Sequence, residues 1–281
     1  MTIKNFNIDN NSKVFIIAEL SANHNGNIQT AIDTIRAAKR AGADCIKLQT
    51  YTADSMTIDS NKDDFLIKDT IWKGKNLYEL YQEAYTPWEW HRELFQVAKE
   101  EGLICFSSPF DKTAVDFLET LDVPAYKIAS FEITDIPLIE YVASKGKPII
   151  ISTGIATIKD IELAIEACKR KGNHNIALLK CTSSYPAPVD EANISMIKDL
   201  AERFNVLSGL SDHTMGSIVP IVATALGAKI IEKHFILDRS IGSPDSSFSM
   251  NEEEFTQMVN SIRSAEKAIG HINYDLTEKQ R

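Results

Sequence analysis

A chain of 281 residues and 31.3 kDa exceeds the usual single-core domain but matches an α/β barrel, which runs to ~250 residues. Its 44% hydrophobic and 25% charged residues supply a full apolar core and exclude disorder as the main state. A net charge of −9 argues against a nucleic-acid or anionic-membrane partner, because either would recruit a basic face.

Residues 1–5 show no basic lead into an apolar run, so no signal peptide is expected. No stretch approaches the ~18 to 20 apolar residues of a membrane span. Cys45, Cys105, Cys168 and Cys181 form no C-x-x-C pair or disulfide ladder. They read as core thiols of a cytoplasmic protein, with Cys181 set apart by its place at a strand end.

Short apolar runs then alternate with amphipathic stretches, eight times over. In chain order the strands are expected at 14–20, 45–49, 103–108, 125–130, 148–153, 176–182, 205–211 and 229–235. Apolar residues recur at spacings of three and four over 28–40, 88–101 and 251–269, with Gly42, Gly102 and Gly146 closing helices. Eight successive β-α units, without a tight hairpin signal or a G-x-G-x-x-G turn, predict a closed (β/α)₈ TIM barrel over residues 1–270. Residues 271–281 read as a polar tail or the start of a linker. The spacing is even except over 50–87, a connection carrying Tyr51, Trp72, Tyr78, Tyr81 and Tyr85. Such a segment is a lid or a packed insertion. Its rings are expected to pack within the loop rather than to form a sugar platform.

In a barrel the carboxyl ends of the strands converge on one rim. Here they carry Glu19, Lys47 with Gln49, Ser107 with Ser108, Lys127 with Ser130, Ser152 with Thr153, Lys180 with Thr182, Ser211 to His213, and Glu232 with His234. Ammonium groups and hydroxyls of this kind suit a phosphate or a carboxylate. Alternatively each lysine pairs with a carboxylate such as Glu19 or Glu232. His213 and His234 stand 21 residues apart, one crossover in length, and two imidazoles on adjacent strand ends suggest a divalent metal with open positions. Asp212, Glu232 and Asp245 are carboxylates able to ligate, to orient those rings or to bind sugar hydroxyls. His24 lies just past a strand end, while His91, His174 and His271 read as surface residues.

The runs FIIAELSANHNG (15–26), KLQTY (47–51), CFSSPF (105–110), AYKIASFE (125–132), STGIAT (152–157), KCTSSYPAP (180–188), GLSDHTMG (209–216) and EKHFILD (232–238) resemble the nonulosonic (sialic) acid synthase family along the whole chain. AELSANH and SFE are most similar to the branch that makes pseudaminic acid; the N-acetylneuraminate and legionaminate branches tend to read differently there. The resemblance implies condensation of phosphoenolpyruvate with an amino-sugar aldehyde. A manganese or magnesium ion on His213 and His234 would polarise the aldehyde, and phosphate would leave by C–O cleavage. It also implies that Lys47, Ser108, Lys127, Ser130, Ser152 and Ser183 hold phosphoenolpyruvate, that Tyr185, Ser211 and Asp245 line the sugar side, and that Glu19 transfers a proton. Ser183 stands where the family pattern often has asparagine. Family members usually continue into an antifreeze-like domain that completes the partner's sugar pocket in a homodimer, and this chain stops at Arg281 without it. Two rival readings follow: a Schiff-base aldolase using Lys127 or Lys180, and a barrel that binds phosphoenolpyruvate and metal but turns over poorly without its cap.

Overall fold

The computed structural model describes residues 1–68, 71–276 and 278–281. Two positions of the long connection (69 and 70) and one of the tail (277) therefore lie outside the described residues.

Eight parallel strands close into a barrel: β3 (Phe15–Glu19), β4 (Cys45–Thr50), β5 (Ile104–Pro109), β6 (Tyr126–Ile128), β7 (Ile149–Ser152), β8 (Ile176–Cys181), β9 (Leu207–Asp212) and β10 (Ile230–His234). Each runs within the segment expected for it or within a residue of it. Strands buried on both faces read as continuous apolar runs, and every residue of β3, β5 and β10 is buried. The crossovers are α1 (Ile28–Arg40), α4 (Trp88–Glu100), α5 (Lys112–Glu119), α6 (Ile136–Ala143), α7 (Ile158–Arg170), α8 (Met196–Phe204) and α9 (Ile218–Ala225), and α10 (Glu252–Ile269) follows the last strand. Side-chain caps set the starts of α1, α5, α6, α7 and α10. Asn27 accepts from the Gln29 and Thr30 amides, and Thr157 with Asp160 and Asn251 with Glu254 form capping boxes.

An antiparallel pair, β1 (Thr2–Ile3) and β2 (Phe6–Asn7), precedes the barrel and was not expected from the sequence. It seals the amino-terminal end: Ile3 and Ile8 are fully buried against Phe15, Ile17, Cys45, Ile104, Phe106, Ile150 and Ile230. The lumen floor is thus apolar, and its polar residues are confined to the carboxyl end. Strands β9 and β10 approach closely at Gly209, where a Cβ would stand 2.2 Å from the Ile230 carbonyl oxygen. The long connection holds two helices, α2 (Ala53–Met56) and α3 (Leu77–Ala84). Tyr51 packs on Tyr81 within it and on Phe110 after β5, and the Tyr78 hydroxyl donates to Asp54, as expected for loop packing, whereas Trp72 lies against Tyr185 and Pro244 outside the segment. Among the described residues no helix is long and apolar enough to cross a membrane.

Candidate active site

Side chains alternate along a strand, so the apolar floor residues decide which rim residues enter the lumen. Cys45 puts Lys47 inside, Ala125 puts Lys127 inside, Ile150 does so for Ser152, and Ile230 for Glu232 and His234. The same parity sends Lys180 and Asp212 outward. Lys180 donates to the Cys181 carbonyl at 2.6 Å and to Thr182 Oγ1 at 3.1 Å. Asp212 pairs with Lys233 and accepts from the Thr214 amide. Neither faces the lumen, which removes Lys180 from the covalent alternative and Asp212 from the carboxylates beside the imidazoles.

Inside, charges meet in a compact network. Lys47 Nζ lies 2.9 Å from Glu19 Oε2 and 2.9 Å from Glu232 Oε1. Lys127 Nζ donates to Ser152 Oγ at 2.7 Å and stands 3.6 Å from Glu232. Ser211 Oγ donates to Glu232 at 3.0 Å, which places it at this end of the lumen. Burial alone would raise the Glu232 carboxyl, but Lys127, Lys47 and Ser211 outweigh it and hold it at about 2. Burial lowers the Lys47 ammonium to about 7; Glu232 opposes the shift and Lys127 adds to it. The two alternatives for the lysines therefore coexist: they are paired with carboxylates, and they face the lumen.

That end of the lumen carries polar atoms without a partner. Ser108 Oγ and Glu19 Oε1 are buried without a hydrogen-bond partner among the described residues, a state that a ligand resolves. Gly154 donates its N–H to Ser130 Oγ at 2.6 Å, and a Cβ there would lie 2.2 Å from Ser183 Oγ and 2.4 Å from Ser130 Oγ. The two hydroxyls thus crowd round a bare backbone. Gly154 escaped the sequence reading, although a glycine directly after a strand marks close approach. Glu132 also escaped it. Burial raises its carboxyl to about 7 against the pull of its own amide and of Lys127, and its Oε2 has no partner among the described residues.

Across the lumen the rings of His213 and His234 are 5.4 Å apart. His213 Nδ1 lies 2.9 Å from the Thr182 carbonyl oxygen, so N–H sits there and Nε2 is left for another partner. Burial, then His213 and Lys47, depress the His234 imidazole well below its usual range, keeping it neutral. Its buried Nδ1 has no hydrogen-bond partner among the described residues and stands 3.7 Å from Asp245 Oδ2. Burial raises the Asp245 carboxyl against hydrogen bonds from Ser21 and Ala22. A neutral ring with an orphaned nitrogen, beside a ring of set tautomer, fits a divalent cation. Among the described residues no group of three or more His, Cys, Asp or Glu side chains is arranged for one; a cation held by the two imidazoles would keep positions for water and substrate. Cys181 enters the lumen 3.9 Å from His213 Nδ1. Burial opposes its ionisation, but His213, Lys127 and Ser130 bring the thiol down to about 7.

Tyr185 packs on His213 at 4.3 Å and on Phe248 at 5.2 Å, and Phe248 lies 5.0 Å from His234. Phe248 had no signature in the sequence. His24 and His91 are both fully buried. His24 Nδ1 accepts from the Gly26 amide and its Nε2 meets Thr86. His91 lies between Thr50 Oγ1 and the Pro87 carbonyl, which corrects the surface reading for His91; His174 and His271 are exposed as expected.

Barrel and lumen together define a (β/α)₈ enzyme in which a buried network of lysines, carboxylates and hydroxyls shares the lumen with two imidazoles. The chain belongs to the NeuB family, whose model matches residues 34–274. It is 52% identical over 279 residues to the pseudaminic acid synthase of Campylobacter jejuni, covering 99% of this chain and 81% of that protein. It is 51% identical over 270 residues to the pseudaminic acid synthase of Helicobacter pylori, covering 95% and 79%. The crystal structure of an N-acetylneuraminic acid synthetase from Leptospira borgpetersenii, in complex with citrate, superimposes with a TM-score of 0.89 at 32% identity, covering 99% of this chain and 93% of that one.

Proposed function

We propose that this enzyme condenses phosphoenolpyruvate with the open-chain aldehyde of a 2,4-diacetamido-trideoxyhexose, giving pseudaminic acid and inorganic phosphate. The observation that carries the reading is the facing of Lys47, Lys127 and their hydroxyl neighbours towards His213 and His234 across one closed lumen. The 52% and 51% identities to pseudaminic acid synthases, against 38% to an N,N'-diacetyllegionaminic acid synthase of Legionella pneumophila and 32% to the neuraminic acid synthetase, favour that branch over the N-acetylneuraminate and legionaminate alternatives.

In this reading Lys47 and Lys127 bind the phosphate and carboxylate, with hydroxyls of Ser108, Ser130, Ser152 and Ser183 and the Gly154 backbone shaping the cradle. Glu232 compensates the two lysines before the anion arrives, which keeps a buried pair of cations tolerable. Tyr185 and Asp245 line the aldehyde side. Manganese or magnesium, when held by His213 and His234, supplies Lewis-acid polarisation of the carbonyl. C3 of phosphoenolpyruvate forms the new bond to the aldehyde carbon, water adds at C2, and the C2–O bond to phosphate breaks. Glu19, with one oxygen unpartnered, moves a proton in these steps. The chemistry gains from two reactants held face to face in a site that excludes bulk water. The reading also carries a cytoplasmic location and a homodimer completed by a C-terminal domain.

The test incubates the protein with manganese, the diacetamido sugar and phosphoenolpyruvate labelled with ¹⁸O at the bridging oxygen. Label in the released phosphate, loss of release in His234→Ala, and a nonulosonic acid by mass spectrometry are expected. A lysine adduct trapped by borohydride with pyruvate, or label retained in the sugar acid, would overturn the proposal.

A further inference from the structure

Strand parity turns Asp212 and Lys233 away from the lumen, and both side chains are only 2% exposed there. Among the described residues theirs is the one lysine–carboxylate pair with both partners buried outside the lumen. Two residues earlier on the same faces stand Leu210 and Ile231, which belong to the apolar cluster that also holds Ala223 of α9 and Phe255 of α10. An ion pair in such a layer carries a desolvation cost, and apolar residues of similar volume often serve a fold at least as well. Stability alone therefore gives a poor account of it.

Its place in the chain gives a better one. Asp212 directly precedes His213, and Lys233 directly precedes His234. The two are opposite each other in the β9–β10 ladder, which ends at this pair, one residue short of the imidazoles. Lys233 Nζ bridges beyond that end: it pairs with Asp212 Oδ2 and donates to the Thr214 carbonyl at 2.6 Å. Asp212 in turn accepts from the Thr214 amide at 3.0 Å and from its hydroxyl at 3.1 Å. One ammonium thus grips the residues on both sides of His213 from the residue beside His234. From the β8 side, the His213 carbonyl accepts the Ala187 amide at 2.9 Å and its Nδ1 meets the Thr182 carbonyl. Neither Asp212 nor Lys233 has a buried side-chain atom without a partner among the described residues, so the clamp is complete before any ligand arrives.

We propose that Lys233 and Asp212 are positioning residues: acting from behind the barrel wall, they fix the backbone of His213 to that of His234 and so hold the two rings at the separation a shared cation needs. The inference rests on the reading of His213 and His234 as the pair that holds manganese or magnesium. It goes further by assigning metal affinity to two residues that touch neither the metal nor a substrate.

The test titrates manganese into the unaltered protein, Lys233→Met, and Lys233→Met combined with Asp212→Asn, reading free metal by electron paramagnetic resonance. Lys233→Met strands a buried carboxylate and should lower the melting temperature. The double variant leaves no bare charge, so its melting temperature should return towards that of the unaltered protein, while the Thr214 carbonyl still lacks its ammonium. Expected is manganese binding weaker by ~10-fold or more in both variants, with phosphoenolpyruvate binding to the metal-free protein little changed. A purely structural pair would instead recover stability and manganese affinity together in the double variant, and that result would overturn the inference. A matching loss of phosphoenolpyruvate affinity, or failure of both variants to fold, would overturn it too. No manganese binding by the unaltered protein, or binding that His213→Ala leaves unchanged, would overturn the metal reading of the imidazoles and this inference with it.

Discussion

Gly154→Ala isolates the anion cradle from the stability of the barrel. The added methyl would sit 2.2 Å from Ser183 Oγ, 2.4 Å from Ser130 Oγ and 3.1 Å from Cys181 Sγ. Both hydroxyls must rotate away, and Ser130 then gives up the Gly154 N–H it accepts at 2.6 Å. The backbone at Gly154 is not left-handed, so alanine adds no φ strain and the fold should persist. Hydrogen bonds to a charged group are worth about 1.5–3 kcal/mol each. Losing two removes about 3–6 kcal/mol of anion binding, roughly 10²- to 10⁴-fold in Kd. Isothermal titration of phosphoenolpyruvate with manganese present reads this directly, alongside a thermal melt. A Kd within a few-fold of the unaltered protein would refute the assignment of Ser130 and Ser183 to the cradle.

Lys47→Met leaves Glu19 without the ammonium 2.9 Å away; breaking a buried pair on one side costs about 3–5 kcal/mol, so Tm should fall by roughly 10 °C, and adding Glu19→Gln should restore part of it. No fall by calorimetry would argue that the network is already neutral. Acid should also weaken the fold through His24 and His91, which burial lowers from 6.5 to about 4. The unfolded chain takes up these protons first, so stability present above pH 6.5 is lost as pH falls towards about 4, by about 3 kcal/mol for each histidine. Urea melts at pH 7.5, 5.5 and 4 measure it, and His24→Asn should flatten the slope.

The alternation of apolar runs with amphipathic stretches made the barrel legible from sequence, because strands covered on both faces and helices covered on one leave different periods. Period two likewise placed Lys47 with Gln49 and Glu232 with His234 on common faces. It did not say which face was the lumen: in a strand apolar on both sides, Lys180 and Cys181 are equivalent until the closed sheet sets the parity. The sequence therefore leaves Asp212 and Lys180 level with Glu232 and Lys127, and closure of the sheet turns the first two outward. The two-residue strands β1 and β2 are too short for any periodicity to show, yet they seal the floor. His91 looked like a surface residue because a helix exposes most of its polar positions, whereas here it is buried against Thr50. Chemistry-bearing residue types and their order were thus properties of the chain alone. Which of them meet was decided by tertiary contacts between distant segments, such as Trp72 with Pro244 and Gly154 with Ser130, because local sequence carries no record of what closure of the barrel brings to its mouth.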